Sequence, residues 1–235
     1  MRYAVLIRYV PLVCAAILYA APAAKAQDAK APPAHAAPHH VVPKQNVPKR
    51  TPEELKKLWD QHQGEFDYLL GDWEFTNVSK EHGKGRGYWS AVRIAEGADI
   101  LDEYRVVGDN GETYYVSSTI RAYNAALDRW ELISADAGRG LHDFGTARKS
   151  GDEMHIEQTF GVMSQQPSLW RIRYYNIKPD SFSWTADRSV DGGKTWEKEH
   201  LTIEARRIGA ARKLPPLAPA RNAPGYKPET PSREP

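Results

Sequence analysis

Apolar and polar residues alternate with a period of two over most of residues 70–206. Trp73 and Phe75, for example, alternate with Asp72, Glu74 and Thr76. A period of two is typical of a strand that buries one face. Short turns separate the alternating segments, and Asn110-Gly111 is a strong hairpin signal. The pattern predicts strands near residues 70–77, 88–95, 100–107, 113–123, 129–135, 141–149, 154–160, 170–177, 181–190 and 195–206.

The strands follow one another too closely for parallel pairing, because no segment between them is long enough for a crossover helix. The spacing therefore predicts an all-β fold, an up-and-down antiparallel β-barrel of about eight to ten strands. Gly83–Gly87 is interpreted as a flexible turn. A short N-terminal helix precedes the strands, with Thr51 as N-cap, Pro52 in the first turn and Glu54 at the capping-box position. We expect this helix to cover one mouth of the barrel.

The two ends of the chain differ from the centre in composition. Residues 1–26 have the basic start, apolar stretch and Ala-x-Ala site of a signal peptide, which predicts export to the periplasm or beyond. Residues 27–50, rich in Ala, Pro and His, and the proline-rich residues 209–235 are predicted to be disordered. Residues 51–208 form the predicted domain. Cys14 is the only cysteine, so signal cleavage would leave no thiol and no disulfide.

Charge is distributed unevenly along the chain. The formal net charge is +2, yet acidic residues outnumber basic ones within residues 51–208. An acidic domain between basic segments disfavours nucleic acid as a partner. Basic tails attract anionic surfaces only weakly at physiological salt, so we expect no strong membrane association after signal cleavage.

The Gly71-Asp72-Trp73 sequence at the start of the first strand, with the basic pair Arg206-Arg207 after the last, resembles the lipocalin-like or calycin barrels. The resemblance implies that Trp73 plugs the closed end and that a late arginine, expected to be Arg206, lies over it as a cation–π partner. It also implies a structural role for Gly71.

A closer resemblance is to a family of small uncharacterised bacterial lipocalin-like domains, over roughly residues 66–206. The matching segments are Phe66 to Trp73, Asp102 to Arg105, Arg121 to Tyr123 with Asp128 to Trp130, and Asp191 to Trp196. This resemblance implies a fold and does not imply an activity.

The segment from Ser189 to Trp196 also matches the Asp-box hairpin of sialidase propellers. The motif occurs once, in a chain too short for a propeller. We interpret it as a structural turn in which Asp191 bonds the backbone, Gly193 takes a positive φ and Trp196 packs.

Polar residues between apolar neighbours in mid-strand are the candidate ligand-binding groups. Arg121, with Glu103 as a candidate partner, is predicted to recognise a ligand inside an aromatic cup. A buried Arg and Glu would need each other or a charged ligand. The alternative is an outward ladder of solvated ion pairs. The aromatic residues expected to line the cup or the core are Tyr104, Tyr123, Trp130, Trp170 and Trp184.

His155 supports separate hypotheses. It is a candidate ligand-site residue, and a haem ligand by distant resemblance to nitrobindin-like barrels, although no cofactor is the leading expectation. No metal-ligand spacing and no nucleophile–base motif is recognisable. The leading interpretation is an exported protein that binds a small apolar or amphipathic molecule. The rivals are an acid–base enzyme that uses Glu103 or His155 beside an arginine, and a structural domain with a solid core.

Overall fold

The computed structural model describes residues 46–214. The predicted signal peptide, most of the N-terminal linker and most of the C-terminal tail lie outside the described residues. Ten antiparallel strands form a closed barrel in which β1 pairs with both β2 and β10. This confirms the predicted up-and-down barrel. The strands are β1 Gly71–Ser79, β2 Gly83–Ile94, β3 Asp99–Val107, β4 Thr113–Asn124, β5 Arg129–Asp136, β6 Gly140–Ser150, β7 Glu153–Phe160, β8 Ser168–Tyr175, β9 Ser181–Ser189 and β10 Glu197–Gly209.

One helix, α1 (Pro52–His62), precedes the barrel. The Thr51 hydroxyl accepts from the backbone N–H of Glu54, whose side chain accepts from the backbone N–H of Thr51, so the predicted capping box is present. Trp59 packs on Tyr123 of β4, which places the helix against one end of the barrel. Among the described residues, no helix has the length and apolar character needed to cross a membrane.

The chain between α1 and β1 closes this end. Phe66 and Leu69 are fully buried among the barrel side chains. The Phe66 ring meets the edge of Trp130, with centroids 5.1 Å apart. We call this segment, residues 63–70, the plug. It fills the interior where the first residues of β1 would otherwise face solvent.

Trp73 packs against the plug at the closed end of the barrel, which we call the floor. Its indole N–H donates to the carbonyl of Leu69 at 2.8 Å. The guanidinium carbon of Arg207 lies 4.0 Å from the centre of the Trp73 ring, a close cation–π contact. Arg207 also donates to the carbonyl oxygens of Tyr68 and Leu70, which ties the last strand to the plug.

The arginine over the floor is therefore Arg207, and the expectation for Arg206 is wrong. Arg206 lies opposite Glu74 across the β1–β10 pair, and the two side chains form an ion pair on the outer face. Arg207 pairs directly with Trp73 and continues the inward parity of Ile203 and Ala205, so the two side chains share the inner face. Gly71 is required here, because it has a φ of 112° and a Cβ would lie 2.6 Å from the carbonyl oxygen of Gly209.

The predicted glycine turn is also corrected by the structure. Residues 83–87 are the first part of β2 rather than a loop, and the turn lies before them. A Cβ on Gly87 would lie 2.0 Å from the carbonyl oxygen of Arg105 and 2.4 Å from Cζ of Phe75. The glycine lets the strand pass close to an inward aromatic ring, a common role of glycine in barrel walls.

The β9–β10 connection is a bonded turn centred on Asp191. Its carboxylate accepts from the backbone N–H and the hydroxyl of Thr195, at 3.0 and 2.6 Å, and from the hydroxyl of Ser189. Gly193 has a φ of 89°, and its carbonyl accepts from the indole N–H of Trp196. These local bonds lower the pKa of Asp191 to about 2, chiefly through the Thr195 hydroxyl.

Candidate functional site

The barrel interior has two halves that differ in exposure. In the half next to the plug, the inward side chains are sealed from solvent. A dense set of aromatic contacts fills it, including Trp73 on Phe182 with centroids 4.8 Å apart. The fully or almost fully buried residues of this closed half are Phe66, Leu69, Trp73, Ile100, Trp130, Met154, Tyr174 and Phe182.

In the other half, several inward aromatic side chains are only half-buried. Tyr104 stacks on Phe75 with ring centroids 4.8 Å apart and lies 6.0 Å from the ring of Tyr115. Across the interior, Phe160 and Trp170 pack with centroids 4.6 Å apart. We call this half the cup. Its half-buried inward residues include Tyr104, Tyr115, Ser117, Phe160, Trp170 and Leu201.

A buried ion pair separates the cup from the closed half. Nε of Arg121 donates to Oδ2 of Asp102 at 2.7 Å, and both side chains are at most 4% exposed. The indole N–H of Trp89 donates to Oδ1 of Asp102 at 2.7 Å. Burial opposes the charge of Arg121, but the attraction of Asp102 outweighs it and raises the pKa of Arg121 above its usual value.

Two donors at and near the ion pair are unused. Nη1 of Arg121 is buried and has no hydrogen-bond partner among the described residues, and the same is true of the Tyr68 hydroxyl. Burial and the neighbouring Tyr174 raise the pKa of Tyr68 well above its usual value, so the phenol stays protonated. A buried donor without a partner costs free energy unless water or a ligand supplies an acceptor.

A second polar group lies at the rim of the cup, where β5 ends and β6 begins. Tyr115 donates through its hydroxyl to Oδ1 of Asp136 at 2.8 Å. Nδ1 of His142 lies 2.5 Å from Oδ1 of Asp143, and its Nε2 lies 3.7 Å from Oδ2 of Asp136. We call Asp136, His142 and Asp143 the mouth cluster. Within residues 46–214, no set of three such side chains has the arrangement of a metal site.

The two acids of the mouth cluster are buried although they stand near the rim. Each carboxylate side chain is only 3% exposed. Burial raises the pKa of Asp143 to about 6, although His142 opposes the shift. Oδ2 of Asp136 has no hydrogen-bond partner among the described residues. At the rim, the Asp136 carboxylate can therefore accept at least one further hydrogen bond.

The rest of the rim is nearly balanced in charge. Arg188 projects inward beside Trp170, and its Nη1 donates to Glu81 at 2.9 Å. His200 contacts both Arg188 and Glu197. Arg188 has an acidic partner in Glu81. On the other side of the rim, the two buried carboxylates of the mouth cluster are approached by one arginine, the exposed Arg139, at 4.0 Å from Asp136.

The predicted site residues divide between the two faces of the wall. Glu103 is exposed on the outer face, 3.9 Å from Arg105, and does not meet Arg121. His155 is exposed and contacts Glu153 at 2.8 Å, also outside the barrel. The expectation that these two residues face the interior is wrong, because each occupies the outward parity of its strand. The enzyme hypothesis built on them loses its basis.

The remaining predicted residues all face inward, at different depths. Tyr123 and Trp130 belong to the closed half, where they pack against each other with centroids 5.6 Å apart. Arg121 lies at the base of the cup, and Trp170 and Tyr104 form its walls. Trp184 is 7% exposed and lies opposite Tyr174 and Ile203 across its two strand pairs.

Sequence reasoning missed the mouth cluster. Asp136 follows the inward parity of Trp130, Leu132 and Ser134, but the predicted strand ends one residue too early. A β-bulge opposite Ser134 brings His142 and Asp143 together at the rim, whereas strict alternation would place them on opposite faces.

Two hollows lie outside the barrel. One, of about 410 Å³, runs along the outer face beside Gly87 and is bordered by Glu74, Arg206 and Tyr88. The other, of about 580 Å³, lies between α1 and the turn after β2, beside Trp59. Both carry mixed charges, and neither reaches the polar groups of the interior.

Several solved structures are similar to this chain at low identity. A redesigned beta barrel is 10% identical, with 60% of this chain and 93% of that chain covered and a TM-score of 0.35. The redesigned beta barrel mFAP1, bound to DFHBI, is 12% identical, with 60% and 96% covered and a TM-score of 0.34. A protein of unknown function from the DUF3598 family of Nostoc punctiforme is 11% identical, with 63% and 99% covered and a TM-score of 0.21. No family model and no curated protein matches the chain. Likeness at this level carries no argument about function.

Proposed function

We propose that this protein binds one small apolar or amphipathic molecule in the cup. The observation that carries the proposal is the contrast between the two halves of the interior. The closed half is sealed by the plug, whereas aromatic side chains facing into the cup keep surface that solvent reaches. A concave, mainly aromatic surface with a few polar groups is the usual composition of a small-molecule site.

Arg121 is the proposed recognition group at the base of the cup. Its charge is already neutralised by Asp102, so a ligand need not be anionic to bind there. Its unused Nη1 requires only an acceptor such as a carbonyl or hydroxyl oxygen. An apolar molecule with one oxygen at its inner end would satisfy the aromatic wall and this donor together.

The proposal also covers the location of the protein, its kinship and its other partners. The basic start and Ala-x-Ala site of residues 1–26 support export, with binding in the periplasm or outside the cell. The contact of Arg207 with Trp73 supports kinship with lipocalin-like barrels. The proposal needs no cofactor and no nucleic-acid partner, and the exposed His155 offers no enclosed position for haem.

A pair of adjacent serines provides the test. Ser117 faces into the cup and Ser118 faces outward on the same strand. Ser117→Trp should fill the cup, whereas Ser118→Trp adds the same side chain to the outer surface. Titration with the neutral fluorophore N-phenyl-1-naphthylamine should show affinity at least about tenfold weaker for Ser117→Trp, and unchanged affinity for Ser118→Trp.

Two results would contradict the proposal. One is equal binding of the fluorophore by both folded variants, because the probe would then lie outside the cup. The other is no binding by the wild-type protein, together with no small molecule retained in native mass spectra of protein purified from its own host. That outcome would favour a structural domain with a solid core.

A further inference from the structure

We propose that the mouth cluster binds the protonated amine of an organic cation whose apolar body occupies the cup. The inference rests on the proposed function, because it names the chemical class of the molecule held there. The juxtaposition that carries it is an under-bonded buried carboxylate, Asp136, beside a second buried carboxylate, Asp143, at the rim of the aromatic cup.

Asp136 is buried and only partly hydrogen-bonded. Tyr115 occupies Oδ1, while Oδ2 has no hydrogen bond from the described residues and the side chain is 3% exposed. The nearest cations do not complete it. His142 Nε2 is 3.7 Å away, and Arg139 reaches only 4.0 Å with a side chain that is 72% exposed. A donor from a ligand would supply the missing bond.

The charged groups around Asp136 favour a cationic ligand. The mouth cluster contains two carboxylates and one imidazole, and His142 lies against Asp143 rather than Asp136. On the opposite side of the rim, Arg188 is engaged by Glu81. A cation approaching Asp136 therefore competes, among the described rim groups, with the exposed guanidinium of Arg139, whose Nη1 lies 4.0 Å from Oδ2.

Aromatic rings lie on two sides of the mouth cluster. Phe160 contacts the His142 ring edge-on, with centroids 6.2 Å apart, and packs on Trp170. On the other side of the cluster, Tyr115 donates to Asp136 and packs against Tyr104. Aromatic faces next to carboxylates favour organic ammonium groups, because the ring quadrupole and the negative charge act in the same direction. An inorganic cation would gain little from these rings, and the cluster lacks the arrangement of a metal site.

The test compares three molecules with the same indole body: tryptamine, 3-methylindole and indole-3-propionate. Each is titrated calorimetrically into the wild-type protein at neutral pH. We expect tryptamine to bind at least about tenfold more tightly than 3-methylindole, and indole-3-propionate to bind most weakly. This comparison needs no variant, so it stands even if a substitution at the rim impairs folding.

A matched pair of substitutions then locates the amine. Asp136→Asn removes the charge and retains an oxygen that can accept from Tyr115. It should lower tryptamine affinity by about tenfold and leave 3-methylindole unchanged. Asp152→Asn makes the same chemical change in the exposed turn between β6 and β7 and should alter neither affinity.

The results separate this inference from the proposed function. If 3-methylindole binds and is lost in Ser117→Trp, but tryptamine is no tighter or Asp136→Asn has no selective effect, the cup binds ligands and the amine site is refuted. If none of the three indoles and no neutral fluorophore binds, the proposed function itself fails, and the amine site fails with it.

Discussion

Single buried charges decide the chemistry of this interior. Arg121 and Asp102 form a direct pair at 2.7 Å, whereas Asp136 and Asp143 share one imidazole between them. The first arrangement neutralises charge at the base of the cup, and the second leaves negative charge at its rim. Because charges are costly to bury, each arrangement makes a distinct prediction for stability.

Asp143 should make the protein less stable as pH rises. Its pKa is raised from 3.8 in the unfolded chain to about 6 in the fold by burial. The folded state therefore holds this proton more tightly, so the stabilisation is complete below pH 3.8 and is lost as pH rises through 6. Asp143→Asn should remove a decline on the order of 2 kcal/mol in the free energy of unfolding, measured by urea denaturation across this range.

Asp152→Asn is the control for this experiment, because Asp152 is exposed in a turn. Its pH profile should run parallel to that of the wild type. The interpretation is wrong if the difference in unfolding free energy between wild type and Asp143→Asn stays constant from pH 4 to pH 7, a range of about three units around the folded pKa.

The Arg121–Asp102 pair should behave as a unit. Arg121→Met leaves the Asp102 carboxylate buried with only the Trp89 indole as donor, and should cost about 3–5 kcal/mol. Adding Asp102→Asn removes the orphaned charge and should recover part of that loss. Chemical denaturation of the two single variants and the double variant gives the coupling free energy. Additive losses would show that the two side chains are energetically independent.

Among the secondary-structure elements, β2 shows most clearly that local sequence can predict the wrong secondary structure. Its first residues contain three glycines, a composition that predicts a turn, yet they pair in register with β1. The reason is tertiary, because Gly87 must admit the ring of Phe75, a residue twelve positions earlier in the chain. Composition predicts flexibility there, and only the partner strand reveals the constraint.

Gly87→Ala should therefore strongly destabilise the fold. The added methyl would meet the carbonyl oxygen of Arg105 at 2.0 Å, and backbone cannot move aside as a side chain can. We expect a loss of about 3 kcal/mol in the free energy of unfolding, the upper end of the usual cost of overpacking a core.

Gly83→Ala in the same strand is the matched control. A Cβ there meets nothing within 4 Å, although φ is +74°. It should cost only about 1 kcal/mol, the usual penalty for a non-glycine residue in left-handed backbone. Equal losses in the two variants, measured by thermal or urea denaturation, would show that the close approach at Gly87 is unimportant.

Alternation also explains which site residues can be predicted from the sequence. Arg121, Tyr104 and Trp170 share the inward parity of their strands, and their apolar and polar neighbours indicate that parity locally. Arg207 continues the inward series of Ile203 and Ala205, so alternation itself favours it over Arg206. The mouth cluster is different, because the bulge opposite Ser134 brings His142 and Asp143 together at the rim. A bulge depends on two strands at once, so a single segment carries little signal of it.

At the scale of the whole molecule, the barrel is closed in two different ways. Pairing of β1 with β10 closes the sheet, and the plug closes one end of the interior. The cup is the half of the interior that the plug does not cover. Its depth is set by Phe66, which packs on Trp130 below and lies 5.0 Å from the guanidinium carbon of Arg121.

Phe66→Ala should thus affect both stability and binding. Removing a fully buried ring leaves a cavity beside Trp130 and Tyr174, with an expected loss of about 3–5 kcal/mol in the free energy of unfolding. Phe144→Ala removes the same ring from the outer face, where it is 46% exposed, and should cost less than about 1 kcal/mol.

Because the cavity left by Phe66→Ala adjoins Arg121, the folded Phe66→Ala variant should bind N-phenyl-1-naphthylamine at least as tightly as the wild type. If Phe66→Ala instead abolished binding while the protein stayed folded, the probe would depend on the plug rather than on the cup. The ligand site would then lie at the opposite end of the barrel.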